Sequence, residues 1–336
     1  MRIFTILLTI AFIVASCNRK HVSEFDSNGS VEHETIDSLE PNQDSLAFWT
    51  DDEILSQHSD LVDVAQYIWR MNRNDSVSQN IDLITKEVER INPKLLAYFD
   101  KHHKSNNMSE DQKIDSVLNE IKVAYEPMVA GPTMSSMVGL DVHVAVDSYR
   151  EVLLFNRLMR LAQNDILRAA LRDEMVKWKA FELNLTSYVS SIARLCLWGG
   201  SLSGPASLMA YQGVLNSRIE DQNNLCALLF GKKNVQSGEF LKHAEAVFRS
   251  SIEQALDSVS HEDYSEMYVE ESDSLYVEKY KETQNLQIDA NNSLSQWLKT
   301  RERLGLVANL PQNEYQRITA KFLANLSKEV TAAATY

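Results

Sequence analysis

Apolar residues recur at steps of three and four along most of this chain, the spacing that gathers them on one face of an α-helix. Leu61, Val64, Ala65, Ile68 and Trp69 begin the pattern. Asp75-Ser76 is suited to cap a helix carrying Ile81, Ile84, Val88 and Ile91, and Pro93 to open the next, with Leu95, Leu96 and Phe99. Ser109-Glu110-Asp111-Gln112 reads as a capping box ahead of Ile114, Val117, Leu118, Ile121 and Val123. Pro127 and the Gly131-Pro132 pair are expected to break that run, and a helix resumes near Leu140. From Asp165 to about Trp198 the helical pattern contains no Gly or Pro. Gly199, Gly200, Gly204 and Pro205 form a loop, and helices near 205–230, 236–260, 272–304 and 312–332 complete the series. Strand signals are nearly absent: the chain has 10 Gly and 6 Pro in 336 residues, and no hairpin dipeptide separates two β-branched runs. The pattern predicts an all-α, multi-helix bundle of about nine or ten helices. A helical body over 53–336 is long for one core, so soft divisions near 127–140 or 231–237 are expected.

The first fifty residues depart from this pattern. Arg2 precedes an uncharged apolar run, Ile3 to Val14, too short to anchor in a bilayer and suited to the core of a secretory signal. The run ends in Val14-Ala15-Ser16-Cys17, which resembles the lipobox of bacterial lipoproteins. That resemblance implies a signal peptide over 1–16, cleavage before Cys17, a diacylglycerol on its sulfur and a further acyl chain on the freed amine. Each buried methylene contributes about 0.8 kcal/mol to membrane binding, so the acylated chain is expected to hold to a leaflet without a membrane-spanning helix. Asn18 follows Cys17, where Asp would signal inner-membrane retention in some Gram-negative bacteria. No clear acidic export run follows, so the expected place is the outer membrane, facing the periplasm. Residues 17–52, rich in Ser, Asp, Glu and Asn, read as a flexible acidic tether.

Charge narrows the partners. The formal net charge is −14, and loss of Arg2 with the signal makes it −15. Nucleic acid needs Lys and Arg against its phosphates, so it is not an expected partner. A basic partner would be steered toward such a protein. The segment 261–278, HEDYSEMYVEESDSLYVE, carries many carboxylates and no Lys or Arg. It reads as a solvated face or as a docking patch anchored by Tyr264, Tyr268 and Tyr276.

Two stretches have a further likeness. Residues 167–225 place Leu171 and Trp178 on a long helix, then Gly199-Gly200-Ser201, then a helix with Arg218 and Leu225. This order is similar to the lysozyme-inhibitor LprI-like N-terminal domain family. Residues 291–305 repeat part of it, Trp297-Leu298 with Arg301, and 316–326 resemble the returning helix. The likeness implies a degenerate helical-hairpin repeat, here 165–226 and near 285–327, and a lysozyme-inhibitor-like activity. Glu182 stands where the family has Arg, and Thr186 and Val214 stand where it has Cys. The second stretch lacks the Gly-Gly-Ser turn. Independently of the family, Trp178, Phe181 and Leu185 share one helical face and should meet a core, and Gly199-Gly200 should supply a positive φ at a helix end.

Chemistry-bearing constellations are few. Cys196 and Cys226 are the thiols besides Cys17; a disulfide would staple the hairpin, whereas antiparallel helices would separate them as two buried free thiols. His143, Asp147 and Glu151 share a helix face with no second ligand cluster, and His102-His103 sits in a polar stretch, so neither is expected to hold a metal. Asp-Ser-Leu or Asp-Ser-Val triplets at Ser38, Ser45, Ser76, Ser116, Ser258 and Ser274 resemble the O-glycan acceptor motif of Bacteroidetes envelope proteins. Ser38 and Ser45, in the tether, are the most accessible. Phosphate-cradling, nucleophile-elbow and CxxC motifs are absent, no cofactor is implied, and nothing points to an enzyme. The expected protein is an acidic envelope lipoprotein that binds another macromolecule, with a lysozyme-inhibitor-like protein as the specific form. A scaffolding lipoprotein without inhibitory activity is the alternative, and a helical hydrolase a third class.

Overall fold

Nine helices carry nearly all of the described residues of a computed structural model, which are 52–74, 78–104, 107–197, 200–230, 241–259 and 270–335. They are α1 Asp52–Arg73, α2 Ile81–His102, α3 Glu110–Val129, α4 Thr133–Leu161, α5 Asp165–Cys196, α6 Ser203–Phe230, α7 Leu241–Asp257, α8 Glu270–Val307 and α9 Gln312–Ala333. No strand occurs among the described residues. None of the described helices is long and apolar enough to cross a membrane. All the described residues fall within one compact unit, Trp49–Tyr336. Cys17, Ser38, Ser45 and the tether lie outside the described residues, as do 231–237.

Local chemistry sets the helix ends. The Asn80 side chain accepts from the backbone N–H groups of Asp82 (3.0 Å) and Leu83 (3.3 Å), so Asn80 caps α2; Asp75-Ser76 lie outside the described residues. Ser109 and Gln112 close the expected capping box of α3, whose Ile114, Val117, Leu118 and Ile121 are buried as expected while Val123 is exposed. Asn164 caps α5 through Leu167 N–H at 2.8 Å. Helix α8 is followed by Asn309, whose φ of 50° is the left-handed turn that Asn tolerates, and Pro311 stands at the N-cap of α9.

Three expected breaks are corrected. Pro93 lies inside α2 and Pro127 inside α3. Each proline frees the carbonyl four residues before it, on Glu89 and Val123, and all four residues are exposed, so water can satisfy those oxygens. Helix α4 resumes at Thr133, not near Leu140, because the Gly131-Pro132 turn is short. Gly139 on α4 meets α3 so closely that a Cβ would lie 2.7 Å from the Val129 nitrogen. Residues 127–140 thus form a tight α3–α4 turn between helices that pack on each other.

The helices make two groups that share α4. In the first, α1, α2 and α3 pack on α4 and on one another. Ile68, Val88, Ile91, Leu95, Val117, Leu118, Ile121 and Tyr149 are fully buried there. In the second, α5 runs antiparallel to α8, as the Asp173–Arg303, Asn184–Asp289 and Ser191–Thr283 contacts register. Helix α6 returns antiparallel to α5 and lies against α4 and α9, and α7 packs on α9 and α8. The middle of α4 faces partners on every side: Leu140, then Val142 through Tyr149, are all buried. A helix with no solvent stripe belongs inside the protein.

Candidate functional site

The residues singled out in two distant stretches of sequence meet in the core of the second group. Trp178 on α5 and Trp297 on α8 pack edge to face at 5.8 Å, and both contact Phe322 of α9, at 5.3 and 5.4 Å. Phe181 stacks on Trp297 at 5.9 Å. The expected inward face of Trp178, Phe181 and Leu185 is fully buried. Over this aromatic block sit two guanidinium groups, Arg218 at 4.7 Å from the Trp178 ring and Arg301 at 5.7 Å from the Trp297 ring.

Both arginines are 1% exposed, so each requires compensation. They find it in a closed ring. Arg218 donates to both carboxylate oxygens of Glu174, at 3.0 and 2.7 Å, and to Asp221 at 2.7 Å. Arg301 donates to Glu174 at 3.2 Å and to Asp221 at 2.5 Å. Trp297 Nε1 adds a bond to Glu174 at 2.8 Å. Two cations and two anions thus alternate around the ring. Helical spacing puts them there: Glu174 and Trp178 are one turn apart on α5, as are Arg218 and Asp221 on α6 and Trp297 and Arg301 on α8.

A second layer leads outward. Glu151 of α4 accepts from Trp178 Nε1 and from Lys179 Nζ, and lies 3.8 Å from Arg218 Nε. Lys179 also pairs with Glu182 at 2.8 Å, to which Tyr211 donates at 3.1 Å. Farther along α4, Asp147 accepts from Lys122 at 2.8 and 3.0 Å and from Gln212 at 3.2 Å, with Arg150 at 3.5 Å. The carboxylates Asp147, Glu151, Glu174, Glu182 and Asp221 are matched one for one by Lys122, Arg150, Lys179, Arg218 and Arg301.

Burial acts to raise the Glu174 pKa, but the guanidiniums of Arg218 and Arg301 outweigh it and hold the carboxyl below its usual range. Burial opposes the charge on Lys179 as well, and Glu151 and Glu182 more than offset it, so the ammonium is held firmly protonated. Two surface cavities beside α5 have no ring member in their lining. A charge-balanced, buried ring of this kind orients the helices that supply its members.

Other predicted residues fall elsewhere. Ser201 is exposed in the α5–α6 turn, and Gly199 lies outside the described residues. Gly200 does not take a positive φ; its N–H closes the turn onto the Leu197 carbonyl at 2.7 Å. Cys196 and Cys226 are both free, which corrects the candidate disulfide. Cys196 ends α5 beside the turn, whereas Cys226 lies near the far end of α6, about 35 Å along at 1.5 Å per residue. His143, Asp147 and Glu151 are buried hydrogen-bonded partners, with His143 Nε2 2.9 Å from the Lys122 carbonyl. No group of His, Cys, Asp and Glu suited to a metal ion occurs among the described residues. Tyr276, expected as a docking anchor, is buried and donates to the Val259 carbonyl at 2.6 Å; Tyr264 and Tyr268 lie outside the described residues.

Comparison with protein-family models, with curated proteins and with solved structures finds no match.

Sequence reasoning picked out Trp178, Arg218, Trp297 and Arg301 but passed over Glu174 and Asp221, which complete the ring. The only signal was their spacing, Glu174 one turn before a tryptophan and Asp221 one turn after an arginine. The two copies of the supposed repeat also differ in construction: Arg218 comes from the helix after its tryptophan, and Arg301 from the same helix.

Proposed function

We propose that this chain is an envelope-anchored, acidic lipoprotein whose helical body binds another macromolecule through its outer surface, in the manner of a lysozyme inhibitor. The observation that carries the reading is the sealing of the charged core. The strongest concentration of ionisable groups in the described protein is spent on holding α4, α5, α6 and α8 together. Function therefore belongs to the exterior, and the exterior of a chain with net charge −14 favours a basic protein. The inhibitor form rests on the likeness of residues 165–226 and 285–327 to the lysozyme-inhibitor LprI-like family. The anchoring half of the reading rests on the Val14-Ala15-Ser16-Cys17 stretch, and the placement at the outer membrane, facing the periplasm, on Asn18.

Purified protein added to lysozyme, with lysis of cell-wall suspensions followed by turbidity, tests the inhibitor form. Inhibition that saturates near equimolar protein is expected. Unaltered lysis at a large molar excess removes that form and leaves scaffolding, which pull-down from envelope extract then addresses. Mass spectrometry of the mature N-terminus tests the anchor: an acylated Cys17 is expected, and an unacylated or uncleaved chain overturns it.

A further inference from the structure

We propose that the end of the bundle formed by the α3–α4 and α5–α6 turns rests on a lipid bilayer, with the tips of Met134, Leu202 and Met209 among the headgroups. Apart from the N-terminal segment, the two longest stretches of the chain without Asp, Glu, Lys or Arg are 127–140 and 195–217. The fold brings them together. Met137 of α4 packs on Gly204 of α6 so closely that a Cβ there would lie 3.1 Å from the Met137 sulfur. Helices α4 and α6 run parallel, as the Asp147–Gln212 and Glu151–Arg218 contacts register, so both start at this end. Helix α9 runs antiparallel to α6, with Lys321 on Glu220 and Glu329 over Gly213. Its last residues, Val330 to Thr335, are also uncharged and reach the same end. Three uncharged runs thus converge in a chain of which 24% is charged.

Large apolar side chains stand out from this end: Leu202 is 57% exposed, Met134 54% and Met209 39%. Ala130, Pro132, Gly200 and Ser201 are exposed around them. Apolar side chains rimmed by small polar ones suit an interface with a membrane or a protein. Methionine's unbranched thioether adapts to an irregular surface. Charge chooses between the two. A leaflet carrying anionic lipid repels a chain of net charge −14, so the body can approach it only through a face without free carboxylates. The carboxylates bordering this end are Glu126, Asp141 and Glu329; Asp141 is paired with Arg73 at 2.7 Å, and Glu329 is folded over Gly213. A lipid on Cys17 would hold the uncharged end within reach of the leaflet, and in this the proposal rests on the anchored reading.

Methionine oxidation, mapped by mass spectrometry on the full chain floated with phosphatidylethanolamine–phosphatidylglycerol vesicles, reads this end directly, because peroxide attacks exposed thioethers. Met108 and Met159 are half-buried at the opposite end of the α3–α4 pair and serve as internal standards. Met159 lies about 37 Å from Met134 along α4, at 1.5 Å per residue. Leu202→Glu sets a carboxylate against the bilayer. In that variant Met134 and Met209 should oxidise at least about threefold faster than in the parent, with the standards unchanged. Leu202 is exposed, so helical circular dichroism should stay unchanged. Leu306→Glu, exposed at the far end of the bundle, should behave as the parent does.

Equal rates in the parent and Leu202→Glu would overturn the contact. So would a parent in which Met134 reacts as fast as a free methionine peptide, or one that does not float. Protection that disappears as the vesicles are diluted with further lipid would assign this end to a second copy of the chain and overturn the bilayer contact. Mass spectrometry of Cys17 reads the anchor separately. An unacylated chain that floats with Met134 protected keeps the contact and removes the anchor; an acylated chain with Met134 unprotected does the reverse.

Discussion

The two helix groups solve the problem of a helical core in opposite ways. Around α1–α3 the interior is aliphatic and most ion pairs lie at the rim, such as Arg160–Asp111 and Lys113–Asp100. In the α5–α9 group, charged residues occupy the centre, and Arg218, Arg301, Glu174 and Asp221 are at most 2% exposed. Apolar contact tolerates small shifts of one helix along another. A ring of alternating charges does not, because any slip leaves an uncompensated buried ion. The second group is therefore specified by position and the first by volume, and each should fail in its own way.

The largest expected effect is removal of a ring member. Arg218→Ala leaves Glu174 and Asp221 in excess and should destabilise the protein by about 3–5 kcal/mol, read as a lowered urea midpoint by circular dichroism. A loss below about 1 kcal/mol, the scale of an exposed pair, would abolish the contrast between the groups.

Next comes packing in the first group. Gly139→Ala pushes a Cβ into the backbone of Val129 and should cost about 1–3 kcal/mol in the same assay. Gly213→Ala in α6 is the matched control. Its Cβ would meet only the flexible carboxylate end of Glu329, and alanine's helix preference, worth about 1 kcal/mol, offsets the contact.

Acid should then separate the groups. Burial holds the His143 pKa below its ordinary 6.5, outweighing the Lys122 carbonyl bond and the nearby Glu126 and Asp147 carboxylates; the Lys122 ammonium adds to the lowering. The unfolded chain therefore takes up a proton near pH 6.5 before the folded one does. Stability should fall as pH drops from about 7 to about 5, by no more than about 1.4 kcal/mol per pH unit. His143→Gln should flatten that slope in urea melts at pH 7.5 and 5.5. Glu174 works in a lower window: its depressed pKa adds stability above the usual carboxylate range, lost only as pH falls below it.

The smallest effect belongs to the rim. Arg160→Ala, with both partners about half exposed, should change stability by less than about 1 kcal/mol.

The same contrast governs what could be read from the chain. Aliphatic periodicity announced the helices, and the capping box at Ser109 was legible because its two residues are three apart in sequence. Pro93 and Pro127 misled because whether a proline breaks a helix depends on which way the freed carbonyl faces, a tertiary fact. The tryptophans and arginines stood out as large residues in helical register. Their carboxylate partners did not, since Glu174 and Asp221 resemble any solvated acid until the partner helices are placed. His143, Asp147 and Glu151 showed the same limit: their shared face on α4 was legible, but its burial was not, because α3, α5 and α6 cover it only in the folded chain.

Helix α4 decides whether the protein can be divided. Its flanks supply Tyr149, which bonds Asn92 of α2 at 2.7 Å, and Glu151, which receives Trp178 of α5. A truncation on either side of it would strip one wall from a rod whose middle, residues 142–149, has no water-facing surface to fall back on. Fragments ending near 161 or beginning near 165 should aggregate or stay unfolded, whereas co-expressed complementary pieces should reassemble around it.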